Sequence, residues 1–479
     1  MQRLAGSDAG FLFIESESQT STCVDLAVLA APADGEAPLT LDGLRRHLAE
    51  RLPLVPSLRW RLERIPFGVN HPVWIEDPDF DLDYHVRHAT IAEPGTAADL
   101  DASVAAVLPE LLDLRHPGWQ VVLVDGLADG RQALVFKFHH ALADGAALIS
   151  ILDGLLGDDP APPPPTVAVP VPAPPRRSAL FFAGLAANLR AWLALPVMLW
   201  RTIMRFRAVE QRRKASPIPT PKPMNDAPAS VLNPGPTPDR VYGRTRLPLA
   251  EVQQVKRAAG TTLSDVLLAI VAGALRNDLL ARADLPDKPL VVNVPVADDD
   301  PGAGPRQWGN KFANYFSFLA TDVADPAERL AAVAARNAEA KLQLEIQGPR
   351  TLSAWLDRIP PAIAEPAARG LQRRTARLRD QPDFNVLVSN VRIPNPVWHV
   401  GGQAVEEMYM SGPVADESGL NVTIVGYGDQ LHVSLATNPL AVDDPEALAQ
   451  RLHDELATLL VATAAPASTP EGRGAPALG

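Results

Sequence analysis

Two proline-rich stretches constrain this chain more than any other feature: DDPAPPPPTVAVPVPAPPRR at 158–177 and ASPIPTPKPMNDAPASVLNPGPTP at 215–238. Proline fixes φ and carries no N–H, so neither stretch can form a helix interior or a central strand. Each reads as an extended, semi-rigid segment. Together they divide the 479 residues into two long halves, 1–157 and 239–463. Between the halves, within a linker at 158–238, lies a helix-forming segment at 178–214, and a small, polar tail at 464–479 reads as disordered. With 47% hydrophobic residues, each half has enough apolar side chains for a core of its own.

Both halves mix helix-like and strand-like periodicity. In the first, LTLDGLRRHLAERLP and AADLDASVAAVLPELLDL repeat leucine at helical spacing, whereas LRWRLERI and HPVWIED read as paired strands. WQVVLVDGL and RQALVFKFHH form a hairpin, because Asp129-Gly130 between two apolar runs is turn chemistry. In the second half, SDVLLAIVAGALRNDLLARA is apolar nearly all round and reads as a buried helix. KPLVVNVPVA, NKFANYFSFLAT, FNVLVSNV, LNVTIVGYG and QLHVSLAT read as strands, and two helices open on Asp-Pro. The expected architecture is α+β: two similar-sized lobes joined by a long crossover.

The sequence HHALADG, residues 139–145, repeats the LADG of the preceding turn but carries two histidines before it. Side chains alternate across a strand, so Leu134, Phe136, Phe138 and His140 share one face while Val135, Lys137 and His139 share the other. The two imidazoles therefore point apart, which disfavours a shared metal ion, and no HExxH or CxxC accompanies them. Gly145 permits a positive φ or a close backbone approach. Asp144 reads as a buried anion in need of a cation or several N–H donors, and Arg59 or Arg61 of the strand SLRWRL is the expected partner.

HHxxxDG at these positions resembles the signature of the CoA-dependent acyltransferase superfamily, which includes chloramphenicol acetyltransferase and peptide-synthetase condensation domains. The serial order of LAGSDAGFLFIESES, Pro117-Gly118-Trp119, HHALADG, SDVLLAIVAGALR, VVNVPV, GNKFANYFSFLATD, LVSNVRIPNP and SGPVADESGLNVTIVGYGDQLHVSLATNP resembles the bacterial wax ester synthase/acyl-CoA:diacylglycerol acyltransferase family. That family usually has Pro-Leu-Trp where this chain has Pro117-Gly118-Trp119, and Asn-Asp where it has Ser264-Asp265.

The resemblance implies two chloramphenicol-acetyltransferase-like lobes with an active-site channel between them. It also implies transfer of a fatty acyl group from acyl-CoA to diacylglycerol or a long-chain alcohol, with His140 as general base. His139, Asp144 and Gly145 complete the motif, and Trp119 of the Pro-Gly-Trp segment is a supporting residue. Acyl-CoA enters as a substrate and no cofactor is implied. Asn310, Ser389 and Asn390 are polar residues at strand ends, candidates for oxyanion or carrier contacts or for simple turn satisfaction. Asp265 reads as an acid at a helix N-terminus. Transfer is expected to be direct, because no GxSxG is present and the single cysteine, Cys23, is distant from the motif in sequence. The alternatives are an acyltransferase for a specialised acceptor or carrier-bound donor, and a lipid-surface protein that retains the fold.

Residues 178–214 combine Phe181, Phe182, Trp192 and Trp200 with Arg190, Arg201, Arg205, Arg207, Arg212 and Arg213. Arg190 and Pro196 interrupt the apolar run well short of the roughly 20 residues a spanning helix needs. An interfacial amphipathic helix is expected, placing the protein at a membrane or lipid-droplet surface. The N-terminus lacks a signal-peptide pattern, which points to the cytoplasm and the inner membrane face. A net charge of −12 argues against nucleic acid as a partner.

Overall fold

The computed structural model describes all residues except 33, 34, 36, 158–174, 223, 301, 303, 376–379, 395, 396 and 465–479. The polyproline run at 158–174 and nearly all of the tail therefore lie outside the described residues.

Among the described residues, fifteen strands form three sheets. A small sheet pairs β1 (Gln2–Arg3), β4 (Val73–Glu76) and β3 (Trp60–Glu63), in the order β1-β4-β3. The first large sheet contains β2 (Thr22–Leu29), β5 (Val86–Thr90), β6 (Trp119–Asp125), β7 (Ala133–His139), β12 (His399–Val400) and β13 (Gln403–Ser411), in the order β12-β13-β2-β7-β6-β5. The second contains β8 (Val241–Pro248), β9 (Val291–Ala297), β10 (Phe312–Phe318), β11 (Val386–Arg392), β14 (Leu420–Tyr427) and β15 (Gln430–Thr437), in the order β10-β9-β11-β14-β15-β8.

All residues of the central strands β2 and β7 are buried, which is why both read as apolar runs. The expected hairpin joins β6 to β7, with Gly130 at φ +75° in its turn. The helix Leu263–Ala281 is buried nearly all round, and Thr262 caps it.

The sheets do not follow the division of the chain. After β11 the chain leaves the second sheet, adds β12 and β13 to the first sheet beside β2, and returns to β14, which lies parallel to β11. Residues 399–411 thus belong to the first lobe by hydrogen bonding, although they follow residue 239 in sequence. This excursion ties the lobes together: the Tyr427 hydroxyl accepts from Trp398 N–H (2.8 Å) and donates to the Val405 carbonyl (2.9 Å).

The expected helical segment forms two helices, Arg177–Trp192 and Leu195–Ala215, bent by 53°. One side docks on the protein. Asn188 bonds to Asn70 (2.9 Å), Trp355 donates to the Thr202 hydroxyl (3.0 Å), Arg205 donates to Thr351 (2.7 Å), and Arg212 pairs with Glu339.

Candidate active site

His140 follows the last residue of β7 and faces a cavity of about 250 Å³ between the two large sheets. The wall includes residues of β2, β9, β10, β11, β13 and β14, so the site exists only because both halves of the chain meet there. The two histidines diverge, as strand alternation requires. His139 is fully buried: its Nδ1 accepts from Ala141 N–H (3.0 Å) and its Nε2 lies 3.3 Å from Glu15 Oε1.

Three contacts fix the His140 ring. Phe11, from the helix Gly6–Ile14, stacks on it at 4.0 Å with planes 14° apart. The Asn310 Nδ2 donates to the His140 carbonyl (2.8 Å), and Asn310 Oδ1 lies 2.9 Å from His140 Nδ1. A carbonyl can only accept, so the first bond sets the orientation of the amide. Oδ1 must then accept from Nδ1–H, which leaves the basic lone pair on Nε2. Asn310 is itself anchored by its backbone N–H, which donates to Asp8 Oδ1 (3.0 Å). Burial pushes the Asp8 carboxyl up to about 7, against the hydrogen bonds from Asn310 and Ala5.

Asp144 caps the helix Gly145–Leu156, its Oδ1 accepting from Ala147 N–H (3.0 Å). Its Oδ2 accepts from Lys311 N–H (2.8 Å) and pairs with the Arg306 guanidinium. Arg306 therefore replaces both expected partners. Arg59 pairs with Glu76 (3.3 Å), and Arg61 with Glu63 and Asp77 (3.4 Å each). The reason is topological: SLRWRL feeds the small sheet, which does not adjoin β7, whereas residues 306–311 of the second half run alongside the motif. There Gly309 N–H donates to the Leu142 carbonyl (2.6 Å). Gly145 does not take a positive φ, and a Cβ there would meet only the Val391 side chain of β11, at 3.4 Å, an ordinary contact, so neither expected reason for a glycine is met here.

The remaining candidates separate into two groups. Ser389 and Asn390 line the cavity, and Asn390 also donates to the Ser264 hydroxyl (3.3 Å). Asn310 reaches the site, but His140 uses both ends of its amide, so it orients the base rather than facing an oxyanion. Trp119 is a buried pillar whose indole N–H donates to the Leu58 carbonyl (2.7 Å) and whose ring stacks on His85 at 4.5 Å. Gly118 beside it packs on the motif: a Cβ there would lie 3.2 Å from the His139 Cβ. Asp265 is a helix N-terminal acid. Burial opposes its ionisation, but hydrogen bonds from Thr262, Asn337 and Thr261 outweigh that and hold its carboxyl below the usual range.

Sequence reasoning passed over Asp8, Phe11, Asp25 and Arg306. It also set Cys23 aside for its distance in sequence, yet Cys23 lines the same cavity from β2. Burial, with the neighbouring Asp25 and Asp144, raises its thiol well above the ordinary cysteine range and suppresses the nucleophilic thiolate.

Burial lowers the His140 pKa below its ordinary 6.5, the neighbouring Asp144 opposing this. The active form is the neutral imidazole, so activity is lost as pH falls through this lowered value. A kcat/KM profile from about pH 5 to about pH 9 should place the acid limb below 6.5. Asn310→Asp sets a carboxylate against Nδ1–H, favours the imidazolium, and should move that limb to higher pH. An unmoved limb would mean that Asn310 does not control the base.

Known proteins resemble this chain over most of its length. A model of the wax ester synthase/diacylglycerol acyltransferase catalytic domain matches residues 4–267, and one of the WS/DGAT C-terminal domain matches residues 308–460. A Mycobacterium tuberculosis relative named for diacylglycerol O-acyltransferase activity is 34% identical over 446 residues, 93% of each chain. A second from the same organism, named likewise, is 32% identical over 97% of this chain and 99% of its own. The solved wax ester synthase/diacylglycerol acyltransferase from Marinobacter aquaeolei VT8 superposes with a TM-score of 0.68 at 25% identity, covering 97% of this chain and 100% of that one. The first condensation domain of the calcium-dependent antibiotic synthetase shares the fold, with a TM-score of 0.56 at 16% identity over 98% and 97% of the two chains. With both family domains matched in order across most of its length, this chain belongs to the wax ester synthase/diacylglycerol acyltransferase family.

Proposed function

We propose that this acyltransferase moves a fatty acyl group from acyl-CoA directly to the hydroxyl of diacylglycerol or a long-chain alcohol, with His140 Nε2 as the general base. The observation that carries this reading is the Asn310 clamp, which commits Nδ1 to donation and presents Nε2 to the cavity. Nε2 takes the hydroxyl proton as the oxygen attacks the thioester carbon. The tetrahedral oxyanion collapses, the C–S bond breaks, and the imidazolium returns the proton to the departing CoA thiolate. Ser389 and Asn390, on the opposite wall, are the polar side chains proposed to meet the oxyanion or the donor. Incubation of the full chain with labelled palmitoyl-CoA and a panel of diacylglycerols and long-chain alcohols tests the reading. Labelled triacylglycerol or wax ester is expected; release of free fatty acid alone with every acceptor would contradict it.

The same reading places the bent helix pair on a membrane or lipid-droplet surface at the cytoplasmic side. No single helix among the described residues is long and apolar enough to cross a membrane. The side of the pair turned away from the protein exposes Phe182, Leu189, Trp192, Leu193, Trp200 and Ile203 beside exposed Arg190, Arg201 and Arg207. Aromatic and aliphatic burial in the headgroup layer, with arginine attraction to anionic lipid, is the interfacial pattern. Reversing the charge of Arg190, Arg201 and Arg207 should weaken sedimentation with anionic vesicles at least about 10²-fold, at about 1 kcal/mol for each of the three cations. Added salt should weaken wild-type binding in the same direction. Arg205 and Arg212 are engaged by Thr351 and Glu339, so they are the wrong residues to reverse. Vesicle binding that is indifferent to both changes would assign the exposed face to another role.

A further inference from the structure

Asp25 stands in the middle of β2, in register with Phe136 of β7 on one side and Met410 of β13 on the other. It shares a face with Cys23, and both line the cavity that holds His140. Asp25 is 0% exposed, and neither carboxyl oxygen makes a hydrogen bond of ordinary geometry, although the Ser411 backbone lies close enough to favour the charged form. Burial pushes it up to about 8, only partly offset by the Ser411 backbone, so at neutral pH it is a carboxylic acid with one O–H donor and one carbonyl acceptor. Two other polar side chains of the wall, by contrast, are satisfied within the protein. The Thr423 hydroxyl donates to Asn421 Oδ1 (2.9 Å), and Asn421 Nδ2 donates to the Pro413 carbonyl (3.0 Å).

A buried polar group without a partner is unfavourable and rare. An alkyl chain laid against Asp25 would leave it so. A substrate carrying an oxygen near its reacting hydroxyl would satisfy it, because a neutral acid both gives and receives a hydrogen bond. We infer that Asp25 is a specificity-determining residue that selects acceptors bearing an uncharged oxygen group, a hydroxyl or an ester, beside the hydroxyl to be acylated, over unsubstituted alkanols. The inference rests on the acyl-transfer reading for which substrate enters the cavity.

The test compares dodecan-1-ol with dodecane-1,2-diol, which differ by one hydroxyl, as acceptors of palmitoyl groups in wild type, Asp25→Asn and Asp25→Leu. Wild type should prefer the diol. Asp25→Leu should lower the diol-to-alkanol ratio of kcat/KM at least about tenfold, chiefly through the KM of the diol, because a site built to bond an oxygen group discriminates steeply against its absence. Asp25→Asn keeps a donor and an acceptor and should retain the ratio within about threefold. The Asp25→Leu protein should also melt higher than wild type, since an unmatched buried acid has been removed. Thermal shifts with each alcohol and no palmitoyl-CoA separate this inference from the transfer reading. If neither alcohol is acylated but the diol alone stabilises wild type, the acceptor reading fails and the role of Asp25 stands. If the two alcohols are acylated with equal kcat/KM, or if Asp25→Leu lowers both equally, Asp25 does not set specificity and the inference is overturned.

Discussion

His140→Ala should reduce kcat at least about 10²-fold, the usual contribution of a general base, while leaving the melting temperature close to wild type. The ring borders the cavity, so its removal enlarges a space already present. Asn310 keeps its bond to the carbonyl of residue 140, and water can reach the vacated Oδ1. His139→Ala should do the reverse. His139 is fully buried, and its loss strands the Ala141 N–H and leaves Glu15 facing a void. A deficit of about 2–4 kcal/mol is expected from the unmet donor and the cavity together. Its effect on turnover should come mainly through the position of the adjacent His140. Parallel measurement of kcat and thermal stability checks both variants. Near-normal turnover in His140→Ala with none in well-folded His139→Ala would exchange the two roles.

Asp144→Ala should destabilise the protein by about 2–4 kcal/mol, below the full value of a deeply buried pair because Arg306 keeps some solvent and a second partner in Asp299. The carboxylate caps a helix, receives Lys311 N–H and neutralises Arg306, so one substitution removes three interactions, two of which hold 306–311 against the motif. Because Asn310 belongs to that segment, kcat should also fall, by roughly 10–10²-fold, as the clamp on His140 loosens. A double-mutant cycle with Arg306→Ala should show coupling of at least about 1 kcal/mol, whereas cycles with Arg59→Ala and Arg61→Ala should be additive within about 0.5 kcal/mol. Additivity with Arg306 would remove the ion pair from the account.

What could be read in the sequence was what alternation and turn chemistry control. The divergence of His139 and His140 follows from a two-residue period, and the β6–β7 hairpin follows from Asp129-Gly130. What could not be read was contact at long range. Nothing local announces that Arg306, 162 residues beyond Asp144, neutralises it, or that β13 leaves the second sheet to pair with β2. The nearest predicted strand supplied Arg59 and Arg61 instead, and the small sheet holds them away. Asn310 was visible as a polar residue at a strand end, but its role depends on which atoms face it. Asp25 did carry a signal. TCVDLAVL is an apolar strand with a carboxylate in its middle, and a lone acid in a fully buried strand calls for a reason. Cys23 shows the opposite error, since distance in sequence was taken for distance in space.

Direct transfer at His140 is tested most directly by mixing the full chain with palmitoyl-CoA in the absence of any alcohol, following CoA thiol release and the intact mass of the protein. The account predicts no release above background and no change in mass, then equimolar CoA and ester once an acceptor is added. One equivalent of CoA released in a burst, with the protein heavier by one palmitoyl group, would contradict it. Loss of that adduct in Cys23→Ser but not in His140→Ala would place the chemistry on the thiol that lines the same cavity.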